Sequence, residues 1–417
     1  MSDAVDKPKV PKLRFPEFER EWQQATLGDF FTFKNGVNAD KSMYGSGRKF
    51  INVMDVIADA PINHDAIIGS VEISDKEFSK NEVVYGDILF QRSSETREEV
   101  GQSNVYLDDR PVTFGGFVIR GRPKVRIDPL YFDSLLKTAS VRKDMTSRSG
   151  GSTRYNIGQD ALELVQVRAA NDVEEQRKVA DFLGELALRT LLLERQREAL
   201  LSYKKGMMQR LFSQELRFTR DDGNPFSDWQ EKRLGEVFDR VTKRNAAGNL
   251  NVLTISAQLG LINQREFFNK SVAANDVTGY YLLQRGDFAY NKSYSAGYPL
   301  GAIKRLKRYD AGVVSTLYIC FRAKNVCEVS FYEHYFDYGG LNREIHKIAQ
   351  EGARNHGLLN MSVIEFFRDI QIPRPHPDEQ QKIADFLSAL DAKIDAVTRQ
   401  IDAMQRFKKG LLQQMFV

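Results

Sequence analysis

The sequence predicts an α+β protein in which two α/β bodies occur in tandem repeat, separated by two long helices. We expect the helices to pack antiparallel as a coiled coil, which gives the chain a pseudo-two-fold arrangement. Three observations lead to this prediction. The phrase EEQRKVADFL at 174–183 returns as DEQQKIADFL at 378–387. Each copy opens a segment with helical apolar spacing, and each follows a region of β-branched and aromatic runs.

The repeat extends well beyond this phrase, because residues 174–212 and 378–416 are identical at 16 of 39 positions. Two further pairs of segments match: LRFPEFEREW (13–22) with LRFTRDDGNPFSDW (216–229), and YGDILFQRSS (85–94) with RGDFAYNKSY (285–294). The two copies start 204 residues apart. This period is much longer than the roughly 20–50 residues of solenoid and propeller units. The predicted boundaries are a first body at 1–172, a central helix at 173–213, a second body at 214–377 and a distal helix at 378–417.

Both long segments are rich in Ala, Leu, Glu, Lys, Gln and Arg, which favour helix, and apolar residues recur in them at seven-residue steps. The predicted helix–helix or partner interface consists of Val179, Leu186, Leu193, Leu200 and Met207, and of Ile383, Leu390, Val397, Met404 and Leu411. The alternative is that each helix packs only on another protein. At 1.5 Å per residue such a helix spans roughly 50 Å, which is more than one turn of B-DNA, roughly 35 Å.

Each body combines predicted strands with a helix. The strands are KFINVMDV (49–56), GDILFQRS (86–93) and VTFGGFVIRG (112–121), then NLNVLTIS (249–256), GDFAYNKS (286–293) and GVVSTLYICF (312–321). Asp128 as N-cap and Pro129 at the first helical position predict a helix over 128–145. Ser330 is the predicted cap of the corresponding helix, which Gly339 and Gly340 interrupt.

A polar, glycine-containing loop follows the helix in both bodies, at 146–158 and 350–360. The candidate DNA contacts in these loops are Arg148, Arg154 and Asn156 in the first, and Arg354, Asn355 and His356 in the second. Such side chains bind phosphates and base edges. The alternative is a solvated turn between a helix and a strand.

Polar residues also end one predicted strand in each body. The candidates are Arg92, Ser93 and Arg97 in the first body, and Lys292, Ser293 and Tyr294 in the second. Arg or Lys beside amide and hydroxyl side chains is suited to reading DNA bases, although a polar strand end would look the same. The basic run KRLKR at 304–308 is either a phosphate-facing turn or a solvated one.

Composition restricts the class of protein. A chain of 417 residues with 42% hydrophobic and 28% charged residues is expected to be globular and soluble, and a net charge of +4 permits nucleic-acid binding without requiring it. Two cysteines and five histidines, without metal-ligand spacing, predict neither disulfides nor a metal site. The chain shows no signal peptide and no membrane-spanning run, so we expect a cytoplasmic protein with no membrane partner.

Two dissimilar α/β bodies, each trailed by a helix that opens with Glu-Gln-x-Lys-Val/Ile-Ala, resemble the specificity (S) subunit of a type I restriction–modification system. The residues that carry the resemblance are EQRKVA at 175–180 and EQQKIA at 379–384. The resemblance implies that each body is a target-recognition domain for one half of a bipartite, asymmetric site in double-stranded DNA. It also implies that the helices set the spacing and dock two modification (methyltransferase) subunits, with restriction (motor and nuclease) subunits beyond them.

No catalytic residue is predicted in this chain. Its nearest approach to an adenine-methyltransferase motif, Asn224-Pro225-Phe226, lacks the second proline, and no G-x₄-G-K-[ST] motor motif occurs. We therefore expect no cofactor here, and S-adenosylmethionine, ATP and Mg in partner subunits. Two alternatives remain: a DNA-reading module of another modification or phage-defence assembly, and a coiled-coil scaffold that does not bind DNA.

Overall fold

The computed structural model describes residues 10–256, 259–268, 276–293, 298–324, 329–349 and 359–416. The chain divides into two compact units. The first comprises Met1–Glu194 and Arg399–Val417, and the second comprises Arg195–Thr398. Each unit therefore contains one α/β body together with a segment of each long helix.

The elements of the first body alternate between short strands and short helices. In chain order they are β1 (Gln23–Thr26), α1 (Leu27–Phe30), β2 (Phe31–Asn35), a 3₁₀ turn (Lys41–Met43), β3 (Tyr44–Ile51), α2 (Val53–Val56), β4 (Ser70–Val71), α3 (Asp75–Asn81), β5 (Ile88–Gln91), β6 (Ser93–Ser94), β7 (Ser103–Val105), β8 (Thr113–Phe114), β9 (Val118–Pro123), α4 (Pro129–Leu136), α5 (Ala139–Ser147), β10 (Tyr155–Asn156), α6 (Gln159–Glu163) and β11 (Gln166–Ala169). The first long helix follows as α7 (Val173–Phe212).

The second body has a corresponding series of elements. They are β12 (Gln230–Arg233), α8 (Leu234–Val237), β13 (Phe238–Arg240), β14 (Leu253–Ser256), β15 (Gly260–Asn263), α9 (Gln264–Phe268), β16 (Tyr281–Gln284), β17 (Phe288–Asn291), β18 (Ala302–Arg305), β19 (Ala311–Val314), β20 (Ile319–Ala323), α10 (Val329–Asp337), α11 (Asn342–Ile348), α12 (Val363–Arg368) and β21 (Gln371–Arg374). The second long helix is α13 (Pro377–Met415).

Both bodies are built on a four-stranded antiparallel sheet with the same strand order. It is β2-β9-β5-β7 in the first body and β13-β20-β17-β18 in the second. A two-stranded sheet joins the first and last strands of each body, β1 with β11 and β12 with β21. This shared topology confirms the prediction of two α/β bodies in tandem repeat.

Each unit encloses a core to which both long helices contribute. In the first unit Val179 and Leu183, near the start of α7, share a core with Leu411 and Met415, near the end of α13. In the second unit the end of α7 and the start of α13 share a core with α10 and α12. Within each unit the beginning of one helix thus lies with the end of the other, so the two helices run antiparallel there, as predicted.

The ten seam positions predicted from the heptad pattern are all buried or half-buried. Lys204 interrupts the apolar pattern of α7, and its ammonium forms an ion pair of 2.5 Å with Asp391 of α13 inside the second unit. Lys204 is only 14% exposed, so this carboxylate offsets the cost of burying a charge between the helices.

The Glu-Gln pair that opens each long helix holds the leading segment of its own unit. The carboxylate of Glu175 is buried and accepts hydrogen bonds from Arg14 Nε (2.7 Å), Arg14 Nη2 (2.8 Å) and Trp22 Nε1 (3.0 Å). The amide of Gln176 donates to the carbonyl of Ala170 (2.8 Å). The Leu-Arg-Phe and Trp residues repeated at the start of each half are therefore the partners of the repeated Glu-Gln motif.

The second unit repeats this anchor. Glu379 accepts from Arg217 Nε (3.0 Å), Arg217 Nη2 (2.9 Å) and Trp229 Nε1 (2.9 Å), and the Gln380 amide donates to Pro375 (2.9 Å). The following lysine continues the pattern, because Lys382 pairs with Asp221 (2.7 Å) as Lys178 pairs with Glu17.

Several predicted boundaries were wrong. The runs at 112–121 and 312–321 are not single strands but two strands each, because a turn at 115–118 and at 315–318 separates them. The stretch 49–56 changes from strand to helix at Asn52, whose side chain accepts from the Met54 amide and caps α2. Ser330 lies inside α10 and does not cap it. Asp128 and Pro129 do start α4, but a turn at Lys137 separates α4 from α5.

Candidate nucleic-acid interface

The strand whose end carries Arg92 and Ser93 in the first body, or Lys292 and Ser293 in the second, is called the reading strand. In the first body this strand end contacts two other segments. The backbone amide of Arg92 donates to the Phe117 carbonyl (2.9 Å), and the Arg92 carbonyl accepts from Ile157 (3.0 Å). One residue further on, β6 pairs with β10, which places Ser93 opposite Asn156. The strand end at 91–94 and the loop at 146–158, predicted separately, therefore form one surface.

The side chains of this surface are held by local hydrogen bonds. Arg92 Nη1 donates to the Gly116 carbonyl (3.2 Å), Ser93 Oγ donates to Asn156 Oδ1, and Arg97 Nε donates to the Thr146 carbonyl (3.1 Å). These contacts use only part of each donor set, because a guanidinium carries five N–H groups. The remaining donors of Arg92 and Arg97 can bind phosphate or base edges.

Arg154 is presented by a tight hairpin. Gly150 and Asn156 exchange backbone hydrogen bonds of 2.9 and 2.8 Å, which closes the loop below Arg154. Gly151 has φ +117°, and a Cβ there would lie 2.0 Å from the Arg154 carbonyl oxygen. Only glycine fits this position. The Arg154 side chain is exposed and has no ion-pair partner within the described part of the chain.

Arg148 differs from its neighbours, because its Nε forms an ion pair of 3.0 Å with Asp144. The same carboxylate oxygen accepts from the Gln166 amide (2.8 Å). Arg148 is therefore partly committed to holding α5 against β11. Acidic residues are also present, since Glu99 accepts from Ser94 Oγ (2.8 Å), so the surface carries both signs. Carboxylates can accept from cytosine N4 in a major groove.

The second body brings the equivalent strand end to the equivalent place. The carbonyl of Lys292 accepts from Leu359 (3.1 Å), as that of Arg92 accepts from Ile157, and the Ser293 amide donates to Asn291 Oδ1 (3.1 Å). Burial lowers the pKa of the Lys292 ammonium. The other predicted residues of this body, Tyr294, Arg354, Asn355 and His356, lie outside the described residues.

A buried aspartate that pairs with an arginine fixes the reading strand in each body. Asp87 lies at the start of β5 and receives a two-point contact from Arg122 of β9, at 3.0 and 2.8 Å. Asp287 and Arg322 repeat it at 2.5 and 2.8 Å. These residues carry no motif that predicts a role, although Gly-Asp before each strand and an Arg 35 residues after the Asp recur in both halves.

The basic run at 304–308 is largely neutralised inside the second unit. Lys304 pairs with Asp337 (2.7 Å), while Arg305 and Lys307 both pair with Glu333 (3.2 and 2.7 Å). This run therefore braces β18 against α10 and is a poor phosphate site.

Two further properties bear on the type of site. Within the described ranges, no group of three or more His, Cys, Asp or Glu side chains is arranged to hold a metal ion. None of the helices among those residues is long and apolar enough to cross a membrane.

Comparison with known proteins identifies the class. A family model described as the type I restriction modification DNA specificity domain matches the chain twice, at residues 19–202 and 226–406. These two matches cover most of the chain, one for each repeated half. The chain therefore belongs to the family of type I restriction–modification DNA specificity subunits, and DNA sequence specificity is its function.

Two relatives from Methanocaldococcus jannaschii are similar in sequence. The type I restriction enzyme MjaVIII specificity subunit is 23% identical over 430 residues, which covers 96% of this chain and 92% of the relative. A protein provisionally named the type I restriction enzyme MjaX specificity subunit is 25% identical over 236 residues. That alignment spans about half of each chain, 54% in both cases.

Two solved structures share the fold over nearly the whole chain. The S subunit of a type I restriction–modification system from M. genitalium superposes with a TM-score of 0.56 at 16% identity, covering 98% of this chain and 99% of that one. A chain from a study of complex assembly and conformational transition of the type I R-M system gives 0.55 at 14% identity, covering 95% and 97%. At such identities these likenesses show the fold alone.

Proposed function

We propose that each body reads one half of a bipartite, asymmetric site in double-stranded DNA through the surface at its reading-strand end. The observation that supports this most directly is that the two bodies share the same backbone arrangement at the strand end (the frame) but carry different side chains on it. The frame places Arg92 and Ser93 in one body where it places Lys292 and Ser293 in the other. Two bodies with one fold, with Arg92 in one at the position of Lys292 in the other, suit two different half-sites.

Within the first surface the residues divide into two roles. Arg97 and Arg154 carry exposed positive charge and suit the phosphates, which position a protein on DNA without specifying sequence. Arg92, Ser93 and Asn156 are held by hydrogen bonds to the body, and a pre-positioned side chain loses less entropy on binding. They suit base edges, where one good bidentate contact provides about 1–3 kcal/mol of discrimination. Arg148 pairs with Asp144 through Nε, and its remaining N–H groups suit a phosphate contact.

The long helices supply the second part of the proposal. They set the distance between the half-sites and dock two modification subunits, with restriction subunits bound through these. Leu188, Leu191 and Leu192 of α7 are 56%, 43% and 54% exposed, and such an exposed apolar stripe suits a protein partner. This chain itself is non-catalytic. Methyl transfer from S-adenosylmethionine and ATP- and Mg-dependent cleavage belong to the partners.

A salt titration of the assembled complex on its target duplex tests DNA reading by this surface. Each phosphate contact contributes about −0.9 to the slope of log affinity against log salt concentration. Arg154→Ala is therefore expected to weaken binding and to make the slope about 0.9 less steep. Arg126→Ala is the matched control. Arg126 is exposed in the same body, but it follows Pro123, the end of β9 opposite to the end that adjoins Arg92.

The result distinguishes the candidates. If both variants bind with the wild-type affinity and slope, this surface does not contact phosphate. If wild-type binding itself shows no salt slope, the chain is a scaffold that does not touch DNA. Co-purification of the modification subunits with each variant shows that assembly is intact.

A further inference from the structure

One exposed aromatic side chain lies beside the candidate interface and has no role in the fold. Phe117 is 63% exposed, while the other nine residues of 112–121 are buried. Exposing a phenyl ring forgoes the favourable free energy of burying it, about 1.5–3 kcal/mol. Scattered exposed apolar residues are common on protein surfaces, so position and repetition have to decide whether this one matters.

The position is rigid. Phe117 is the third residue of a turn closed by the Val118 amide, which donates to the Gly115 carbonyl (2.9 Å). Gly115 and Gly116 are fixed in turn, because their amides donate to Ile51 (3.0 Å) and Val37 (2.9 Å). A Cβ on Gly116 would lie 1.8 Å from Asn38 Oδ1, so the Asn38 side chain packs directly against this turn. The ring therefore projects from a preformed support.

The second body repeats the arrangement. The Tyr318 amide closes a turn on the Ser315 carbonyl (3.1 Å), and Leu317 occupies the third position. Leu317 is 57% exposed. Each apolar residue lies five residues before the arginine that pairs with the buried aspartate of the reading strand, which is Arg122 or Arg322. Phe117 and Leu317 are therefore structural equivalents.

Phe117 adjoins the reading-strand end of the first body, and strand register points to the same position for Leu317 in the second. The Phe117 carbonyl accepts a hydrogen bond from the Arg92 amide (2.9 Å), and the Arg92 guanidinium donates to the carbonyl of the preceding residue, Gly116 (3.2 Å). In the second body β17 pairs with β20 as far as Tyr290 opposite Ile319. Two more residues of that register place Lys292 opposite Leu317. Phe117 thus adjoins Arg92 in the first body, and the extended register puts Leu317 in line with Lys292 in the second.

We propose that Phe117 and Leu317 are specificity-determining residues that make apolar contact with the bases of their respective half-sites. The inference rests on the proposed function and adds to it residues that bind neither phosphate nor hydrogen-bonding base edges. Apolar side chains contact thymine methyl groups and enter partly opened base steps. A phenyl ring in one body and an isobutyl group in the other fit bases of different shape, as two different half-sites require.

Alanine substitution in the assembled complex tests the proposal, with the target duplex defined from the methylated motif of the host genome. Phe117→Ala and Leu317→Ala are each expected to lower affinity for the intact duplex by about 5- to 100-fold. The controls are Ile68→Ala in the first body and Leu250→Ala in the second. Their side chains are 93% and 83% exposed and should leave affinity unchanged.

Duplexes with one half-site scrambled show whether the contact is to bases. Phe117→Ala should cause no further loss on a duplex whose matching half-site is scrambled, and should keep its full effect when the other half-site is scrambled. Leu317→Ala should show the opposite pattern. The proposal would be overturned if the variants bound with wild-type affinity, or if they lost the same affinity on every duplex. An equal loss on every duplex, together with lost co-purification of the modification subunits, would indicate that the residue contacts a protein partner. Failure of the proposed function would appear instead as a wild-type complex that does not distinguish intact from scrambled duplexes.

Discussion

The buried carboxylate at the start of α7 offers a sharp test of how the first unit is held together. Glu175 is 2% exposed and Arg14 is 13% exposed, and Arg14 and Trp22 together donate three hydrogen bonds to this carboxylate. Glu175→Gln keeps the shape but removes the charge and turns an amide N–H₂ toward donors. Breaking a buried ion pair by removing one partner costs about 3–5 kcal/mol. We expect the variant to lose that much stability in the first unit.

Calorimetry of the full chain measures this effect. One kcal/mol shifts the Tm of a domain of 150–250 residues by about 2–4 °C, so the first unit should melt about 6–20 °C lower. Glu379→Gln should act in the same way on the transition of the second unit. Glu174→Gln is the control, because Glu174 is the preceding residue and is exposed. A Glu175→Gln variant that melts with this control would refute the anchor, as would unchanged hydrogen exchange at 13–22.

Two other predictions concern the second unit and the helices. The pKa of His334 is lowered, mainly by burial and secondly by the charge of Lys204. The carboxylates of Asp391, Glu333 and Asp337 act in the opposite direction but do not cancel this effect. Because the unfolded imidazole titrates near 6.5 and binds protons that the folded one does not, acidification below about pH 6.5 should destabilise the second unit. His334→Gln should flatten that pH dependence in urea unfolding, and an unchanged dependence would refute it. Separately, one heptad inserted after residue 195 and one after residue 399 lengthens each helix by about 10 Å. The gap in the methylated motif should then grow by about three base pairs at 3.4 Å each; an unchanged gap would refute the spacer.

The repeat and the helices could be predicted because their signals are local. The heptad positions follow from apolar spacing alone, and the similarity of 174–183 to 378–387 needs no structure to be seen. The purpose of that phrase could not be read in the same way. Glu175 meets Arg14 across 161 residues of chain, and periodicity contains no information about such a contact. The sequence showed that the motif and the Leu-Arg-Phe segment both recur, but not that they bind each other.

The site was predictable in part for similar reasons. Ser93 and Asn156 were both singled out by residue type, but their meeting depends on the pairing of β6 with β10, which two-residue strands do not reveal in sequence. The turn that presents Phe117 was hidden within an apolar run. Its signal was present, because two adjacent glycines inside a strand pattern indicate a turn or a bulge, and here the glycine backbone packs against Asn38.

The two units separate what must stay the same from what can change. Asp87 and Asp287 are buried, so replacing Arg122 or Arg322 removes the ion-pair partner of a buried carboxylate, which is destabilising. Replacing an exposed residue such as Phe117 or Arg154 changes stability by only about 0.5 kcal/mol or less. The residues that face the proposed DNA site are therefore the ones the fold can exchange at little cost. If each body reads a half-site as proposed, it can acquire a new half-site without altering the anchors that attach it to the helices, and the proposal accounts for a repeated fold that carries different surface residues.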